Sequence, residues 1–232
     1  MKVSVIIPVL DEALTIEAAL QRVSRLEGDC EVIVVDGGSA DETISIATRH
    51  SSASPRFARV LCGPKGRARQ MNLGASAACG DVLLFLHADT SLPDGALKAI
   101  EDALADSHVV GGRFRVRLDQ RGWRYQMIAS SINARDRLFR GFTGDQAIFV
   151  RTRVFRDLGG YGDMPLMEDL DLGKRMCRAG KVVQLPLCVV TSARRWQKNG
   201  VFRTILLMWA LRLLYVLRCP PSWLKRLYRE AR

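Results

Sequence analysis

No Cys-x-x-Cys pair and no cluster of cysteine with histidine occurs among these 232 residues. The six cysteines (Cys30, Cys62, Cys79, Cys177, Cys188 and Cys219) stand far apart, and the chain has only three histidines. A zinc or disulfide framework is therefore excluded, and the thiols read as reduced, mostly buried groups of a cytoplasmic protein. Internal repeats, low-complexity tracts and an obvious linker are also missing, which favours one α/β domain. The N-terminal "MKVSVIIPVLDE" has too short an apolar part for a signal peptide, and acids follow at once. Acids are scarce at the other end: residues 191–232 carry ten Lys/Arg and one acid, Glu230, so the +11 net charge splits into +9 there and +2 elsewhere.

What is present is an alternation of short apolar runs with helical patterns. "VSVIIPV", "EVIVVD", "RVLC" and "DVLLFL" read as four strands, the last with no polar face and so buried on both sides. Helices are expected between them: one started by Thr15, one capped by the Ser39–Glu42 box of "SADE", one over 67–79 closed by Gly80, and one over 94–105. This order predicts a mostly parallel sheet with helices on both faces. The second half is mixed. "RFRVRL" alternates and reads as an antiparallel strand. A helix is expected over 123–139, then strand "AIFV", helix "MEDLDLGKRMCRAG", and two short strands, "VVQLP" and "CVVTSA".

The strands end in acids. Strand 1 runs into Asp11 and Glu12, strand 2 into Asp36, strand 4 into His87-Ala88-Asp89. Parallel strands bring their ends to one rim, where open α/β sheets bind ligands. Gathered carboxylates repel unless a cation or donor groups offset them, and Mg²⁺ or Mn²⁺ takes one or two carboxylates beside substrate phosphates. Taken singly, each acid is equally a turn or helix-capping residue.

"SVIIPVLDEALTI", "VIVVDGGSADET", "GRARQMNLGA", "LLFLHADT" and "MEDLDLGKRM" together resemble the family-2 glycosyltransferases of the GT-A (Rossmann-like) fold, over residues 3 to 196. The resemblance implies a nucleotide-sugar-binding half, 1–110, an acceptor half, 111–196, and a separate tail, 197–232. It implies that Pro8, Asp11, Glu12, Asp36, Gly37 and Ala88 line the nucleoside-diphosphate sugar, UDP by default. Asp89 would be the metal-binding member of the DXD motif, and Asp169 of the Glu168-Asp169 pair the general base of an inverting transfer. An acid at a helix N-terminus is expected to be stabilised as the anion. Gly144, Asp145 and Gln146 of "GFTGDQAIFV" would face the acceptor. The short motifs "LHADT" and "TSARRW" are similar to those of a small group linked with arsenosugar biosynthesis.

The chain departs from that pattern. His87 stands where the family has an Asp, and is open to three readings: metal ligand, donor to the sugar, or satisfied buried residue. Thr191 and Ser192 stand where a metal-binding His is often found, and Met71 where many relatives have Arg. Lys65, Arg67, Arg194 and Arg195 are candidates to hold the diphosphate, since guanidinium groups bind phosphate bidentately, and Trp196 is a candidate for the acceptor side.

The tail is basic and apolar. Residues 205–217 would give about 20 Å of helix, short of the about 30 Å of a bilayer core. After Pro220-Pro221 a basic amphipathic helix is expected. The pair suits a peripheral attachment to anionic lipid at the inner face of the plasma membrane, packing on the domain, or a dimer contact. Nucleic acid is set aside, because no binding motif accompanies the charge. Two other classes compete: a nucleotidyltransferase of the NDP-sugar pyrophosphorylase kind, whose Gly-rich loop with Lys "PVLDEALT" lacks, and a non-catalytic membrane-docking scaffold.

Overall fold

The structure, a computed structural model, describes residues 1–53, 57–139 and 141–230. The last two residues of the expected tail lie outside them. One eight-stranded sheet organises the chain, in the order β3-β2-β1-β4-β7-β6-β8-β5. Strands β1 (Val3–Val9), β2 (Cys30–Asp36), β3 (Phe57–Cys62) and β4 (Val82–Phe85) are mutually parallel. Their crossovers are helices α1 (Ala13–Ser24), α2 (Thr43–Ala53) and α3 (Arg67–Ala77).

These strands are mostly apolar because both faces are covered, and the buried Ser4 hydroxyl satisfies Glu31 at 2.5 Å. Val5, Ile7, Val32, Val34, Val82 and Leu84 enter one cluster with Ile16, Leu20 and Val23 of α1. Ile6, Ile33, Val35, Leu83 and Phe85, the alternate positions, enter a second with Met71 and Ala75 of α3. Period-2 alternation thus divides one strand between two cores. Helix α3 lies so close to β1 that a Cβ on Gly74 would stand 2.5 Å from Ile6 Cγ2.

The second half is antiparallel at its seam. β7 (Ile148–Arg151) pairs antiparallel with both β4 and β6 (Val109–Leu118), and β6 pairs parallel with β8 (Lys181–Thr191). The antiparallel pairs of β6 are made by Gly111 and Gly112, whereas the alternating "RFRVRL" segment, expected to be antiparallel, pairs parallel with β8. Strand β8 is continuous where two strands were expected. The pairing slips from Phe114–Leu185 to Arg115–Cys188, so Pro186 and Leu187 bulge out of the ladder. A proline has no N–H to give the ladder, and a bulge accommodates it.

Strand β5 (Thr90–Ser91) pairs with the end of β8, four places from β4 in the sheet. Four residues, 86–89, join β4 to β5. A flat sheet would need about 19 Å at about 4.8 Å per strand, more than the roughly 17 Å that an extended link reaches. The sheet must curl, and residues 86–89 lie across its opening. Helices α4 (Ala96–Leu104), α5 (Trp123–Phe139), α6 (Thr152–Asp157) and α7 (Glu168–Ala179) complete the layers. Helices α8 (Arg194–Asn199), α9 (Val201–Val216) and α10 (Pro221–Glu230) follow.

Two helix starts differ from expectation. Helix α1 begins at Ala13, with Thr15 in its first turn bonding back to the carbonyl and carboxylate of Glu12. Helix α2 begins at Thr43 rather than after Ser39. The Asp41 carboxylate accepts the N–H of Thr43 and the N–H of Ala13, and so holds both helix starts. Ser39 is drawn away by Asp36 and Asp11, which replaces the expected capping box.

Candidate active site

The parallel register puts the acids on one rim. Val9 stands opposite Asp36, and the N–H of Leu86 donates to the Ile6 carbonyl at 2.9 Å. Strand β1, between β2 and β4, therefore carries Asp11 and Glu12 out between Asp36 and Asp89. Arg194, from the start of α8, gathers two of them: its Nη2 lies 3.5 Å from Glu12 Oε2 and 3.3 Å from Asp89 Oδ2. Chain segments about 180 residues apart meet in this contact.

The acids are used differently. Asp36 is buried, and its Oδ2 accepts the N–H groups of Gly38 and Ser39 at 2.7 and 3.0 Å, while Oδ1 accepts the Ser39 hydroxyl. It shapes the β2–α2 turn, an Asx-type role. Asp11, in a left-handed conformation with φ 55°, accepts the Ala40 N–H at 2.8 Å and donates its own N–H to Ser39. Asp89 remains part-exposed; among the described residues its oxygens meet Arg194 and a 3.4 Å bond from the Thr90 hydroxyl. A cavity of about 620 Å³ opens beside it, lined by Arg22, Ser91, Arg117 and Tyr125 among others. Arg22 had no signal in the sequence; folding alone brings it from the end of α1 to Ser91.

Helix α7 begins at the same opening. Met167 precedes it with φ 70°, and Ala147, beside the Gly144–Gln146 turn, has φ 48°. Three of the four left-handed non-glycine residues thus flank candidate site residues, a place where backbone strain concentrates. Glu168 is buried, its Oε1 3.5 Å from Arg67 Nη1. Arg67 is also within electrostatic reach of Asp169, Tyr228 and Asp89. Asp169 is buried against Gly144, whose N–H it accepts. A Cβ on Gly144 would stand 2.5 Å from His87 Nε2 and 2.8 Å from Asp169 Oδ2, so imidazole and carboxylate face one another across a glycine. Among the described residues, Asp169 Oδ1, Asp145 Oδ1 and the Tyr161 hydroxyl are buried without a hydrogen-bond partner.

Burial, with Glu168 and Asp145 adding to it, pushes the Asp169 carboxyl up to about 8 against the pull of Arg67. Burial thus works against the expectation that a helix N-terminus would hold it as the anion, since desolvation penalises the charged form. Such a displacement is typical of working acids and bases. Burial likewise raises the Tyr161 phenol, with Asp169 next in effect. Tyr161, a neighbour of the carboxylate, went unnoticed in the sequence.

The remaining candidates are placed as follows. Gln146 is buried, its side-chain oxygen accepting the Thr143 N–H at 3.1 Å, which holds the turn. Ala88 and Gly37 are buried, Pro8 is half-buried and Lys65 is exposed. Trp196 packs on Leu118, Ile128 and Ala193 beneath α5. The Arg195 side chain lies outside the described residues. Arg69, next to this group, is taken by Asp163 through two bonds of 2.8 and 2.7 Å. Among the described residues, no three His, Cys, Asp or Glu side chains are placed to hold a metal ion together. Asp89 by itself offers hard carboxylate oxygens, which fit a divalent cation shared with a diphosphate.

Solved structures define the class: this is a GT-A domain. A mannosyltransferase from Pyrobaculum calidifontis, solved with GDP-Man and Mn²⁺, superposes with a TM-score of 0.68 at 21% identity, over 99% of this chain and 68% of that one. TarS of S. aureus (residues 1–349), solved with UDP-GlcNAc, gives 0.66 at 17%, over 83% and 58%. The model of glycosyl transferase family 2 matches residues 4–158, and the chain belongs to that family. It is similar to a PGL/p-HBAD biosynthesis glycosyltransferase of Mycobacterium bovis (strain BCG / Pasteur 1173P2), 33% identical over 164 residues. That match covers 68% of this chain and 62% of the relative, so the chain spans less than two thirds of the relative's length. A glycosyltransferase of Nostoc sp., described as uncharacterized, is 31% identical over 113 residues, 48% of this chain and 35% of that one.

Proposed function

We propose that this chain moves a sugar from a nucleoside-diphosphate sugar, UDP-linked by default, to a hydroxyl acceptor in one inverting displacement in the cytoplasm. The observation that carries the reading is the buried Asp169 carboxyl, set across Gly144 from His87 and facing the rim that holds Asp89. Family membership and the nucleotide-sugar complexes of the structural neighbours support it.

In this reading residues 1–110 take the donor and 111–196 the acceptor, a small molecule or lipid-linked compound. Asp11, Glu12 and the turn built on Asp36 receive the nucleoside, with backbone at Pro8, Gly37 and Ala88. Asp169 Oδ1 accepts the proton of the acceptor hydroxyl as its oxygen bonds to the anomeric carbon. The bond from that carbon to the diphosphate oxygen breaks, and its electron pair leaves with the nucleoside diphosphate. Arg194, freed from Asp89, binds the departing phosphate together with Arg67, Lys65 and Arg195. Glu168 keeps Arg67 against α7, and Asp145 and His87 border the acceptor oxygen. A bound Mg²⁺ or Mn²⁺, held by Asp89 and the donor phosphates, would offset the charge of the leaving group.

Purified chain, incubated with a panel of nucleoside-diphosphate sugars with Mn²⁺, with Mg²⁺ or with chelator, is expected to release nucleoside diphosphate from one of them in a metal-dependent way. Formation of nucleoside triphosphate and sugar 1-phosphate from the donor and added pyrophosphate would favour a nucleotidyltransferase. No thermal shift and no turnover with any donor would leave the non-catalytic scaffold standing.

A further inference from the structure

Helix α9 wears its apolar side outward. Leu206, Trp209, Leu213, Val216 and Leu217 are all exposed, and they recur at the three- and four-residue steps that mark one helix face. Trp209 is 58% and Leu213 61% exposed, while the polar Thr204 is buried at 3%. Leu211, at 1%, faces inward, so α9 is apolar on both sides, whereas a helix covering a soluble domain keeps its outer side polar. Nearby, Trp123 and Met127 of α5 and Trp223 of α10 are exposed as well. Helix α5 packs beside the start of α9, because Ile128 shares a cluster with Val201 and Ile205.

The charge around this face has one sign. Arg203 and Arg218, both exposed, stand at the two ends of the α9 stripe, and Lys198 and Lys225 are exposed on the flanking helices. Glu230 is the sole acid from 191 onward. Helix α9 has sixteen residues, about 24 Å, and no helix among the described residues is long and apolar enough to cross a membrane. A face of this length lies flat on a bilayer rather than through it.

We propose that α8, α9 and α10 dock on the surface of an anionic lipid bilayer, with the outward stripe of α9 seated between headgroups and acyl chains. Tryptophan prefers that depth, and long basic side chains reach back to the phosphates. A second copy on the same face is a poorer occupant, since a two-fold contact would set each copy's arginines against their like. Lys174 of α7 stacks over the Tyr215 ring of α9 at 4.5 Å, which ties the tail to the body of the domain. This inference stands on the tail and does not depend on the transfer reading.

Co-sedimentation of the full chain with phosphatidylcholine vesicles, with and without phosphatidylglycerol, tests it. Binding is expected to the anionic vesicles, weakly to the neutral ones, and to fall with salt. A Trp209→Ser, Leu213→Ser double variant changes only exposed side chains, so its melting temperature stays near the parent's. Its vesicle affinity is expected to drop by roughly tenfold or more. An Arg203→Glu, Arg218→Glu variant should lose about as much and most of its salt sensitivity. The proposal is overturned if the parent ignores anionic vesicles or if both variants bind as it does. It is equally overturned if sedimentation velocity shows a dimer that Trp209→Ser, Leu213→Ser dissolves while vesicles leave the parent in solution.

Discussion

Replacing Asp169 with asparagine separates burial from chemistry. The folded carboxyl sits at about 8, against an ordinary value of 3.8. A raised folded value means that the folded state holds the proton more tightly. That contribution to stability is complete below the ordinary value and is lost as pH rises through about 8. About four units at about 1.4 kcal/mol each set an upper figure of roughly 5 kcal/mol for the loss. Asparagine keeps the shape and can still accept the Gly144 N–H, but it has no charge to desolvate. The wild-type chain and Asp169→Asn should therefore melt closest together near pH 4 and diverge steadily between about pH 4 and pH 8, the variant being the more stable, with little further change above that. At roughly 2–4 °C per kcal/mol for a chain of this size, the gap should reach on the order of 10 °C by pH 9. Differential scanning calorimetry across pH measures it. The same variant should turn over the donor at least about 10²-fold more slowly, with donor affinity kept. A melting difference that does not change between pH 5 and 9 would refute the buried, protonated carboxyl, whatever the activity.

Other consequences follow from the same rim. Because a base works only when ionised, kcat/KM of the wild-type chain should climb toward pH 8, and a plateau already reached at pH 6 would contradict the raised value. Asp89→Ala should leave the melting temperature within about 2 °C but remove the response of donor turnover to Mn²⁺; an undiminished response would show that the cation is held elsewhere. Gly144→Ala drives a methyl into His87 and Asp169 at 2.5 and 2.8 Å, and should cut turnover by at least about tenfold with an intact circular dichroism spectrum. Gly74→Ala, which sets a methyl 2.5 Å from Ile6, should cost about 1–3 kcal/mol in urea melts without changing the pH profile of the remaining activity.

Much of the architecture was legible along the chain. Residues such as Val82 to Phe85 are apolar at every position, and a strand of that kind has to be covered on both faces. Acids at the ends of "VIVVD" and "LLFLHAD" had to reach a common rim once the strands ran parallel. The outward stripe of α9 is likewise foreshadowed in "ILLMWALRLLYVL", a run too greasy for an ordinary surface helix and too short to span. What the local pattern misjudged was the use of small polar groups. Ser39 and Glu42 have the spacing of a capping box, yet Ser39 went to Asp36 and Asp11, which approach it from separate segments. "VVQLP" and "CVVTSA" read as two strands because proline interrupts them, but the β6 ladder tolerates the bulge and keeps them one.

Order of strands, covered faces and the clustering of acids at one edge were fixed by period and composition, which are local properties of a chain. The raised pKa of Asp169, the capture of Asp36 by its own turn, the burial of Gln146 and the bridge from Arg194 to Glu12 and Asp89 were decided only by tertiary packing. Desolvation and electrostatic partners depend on which distant groups surround a side chain, and a carboxylate that a helix N-terminus alone would keep ionised becomes a held proton once Glu168, Asp145 and the curled sheet close around it.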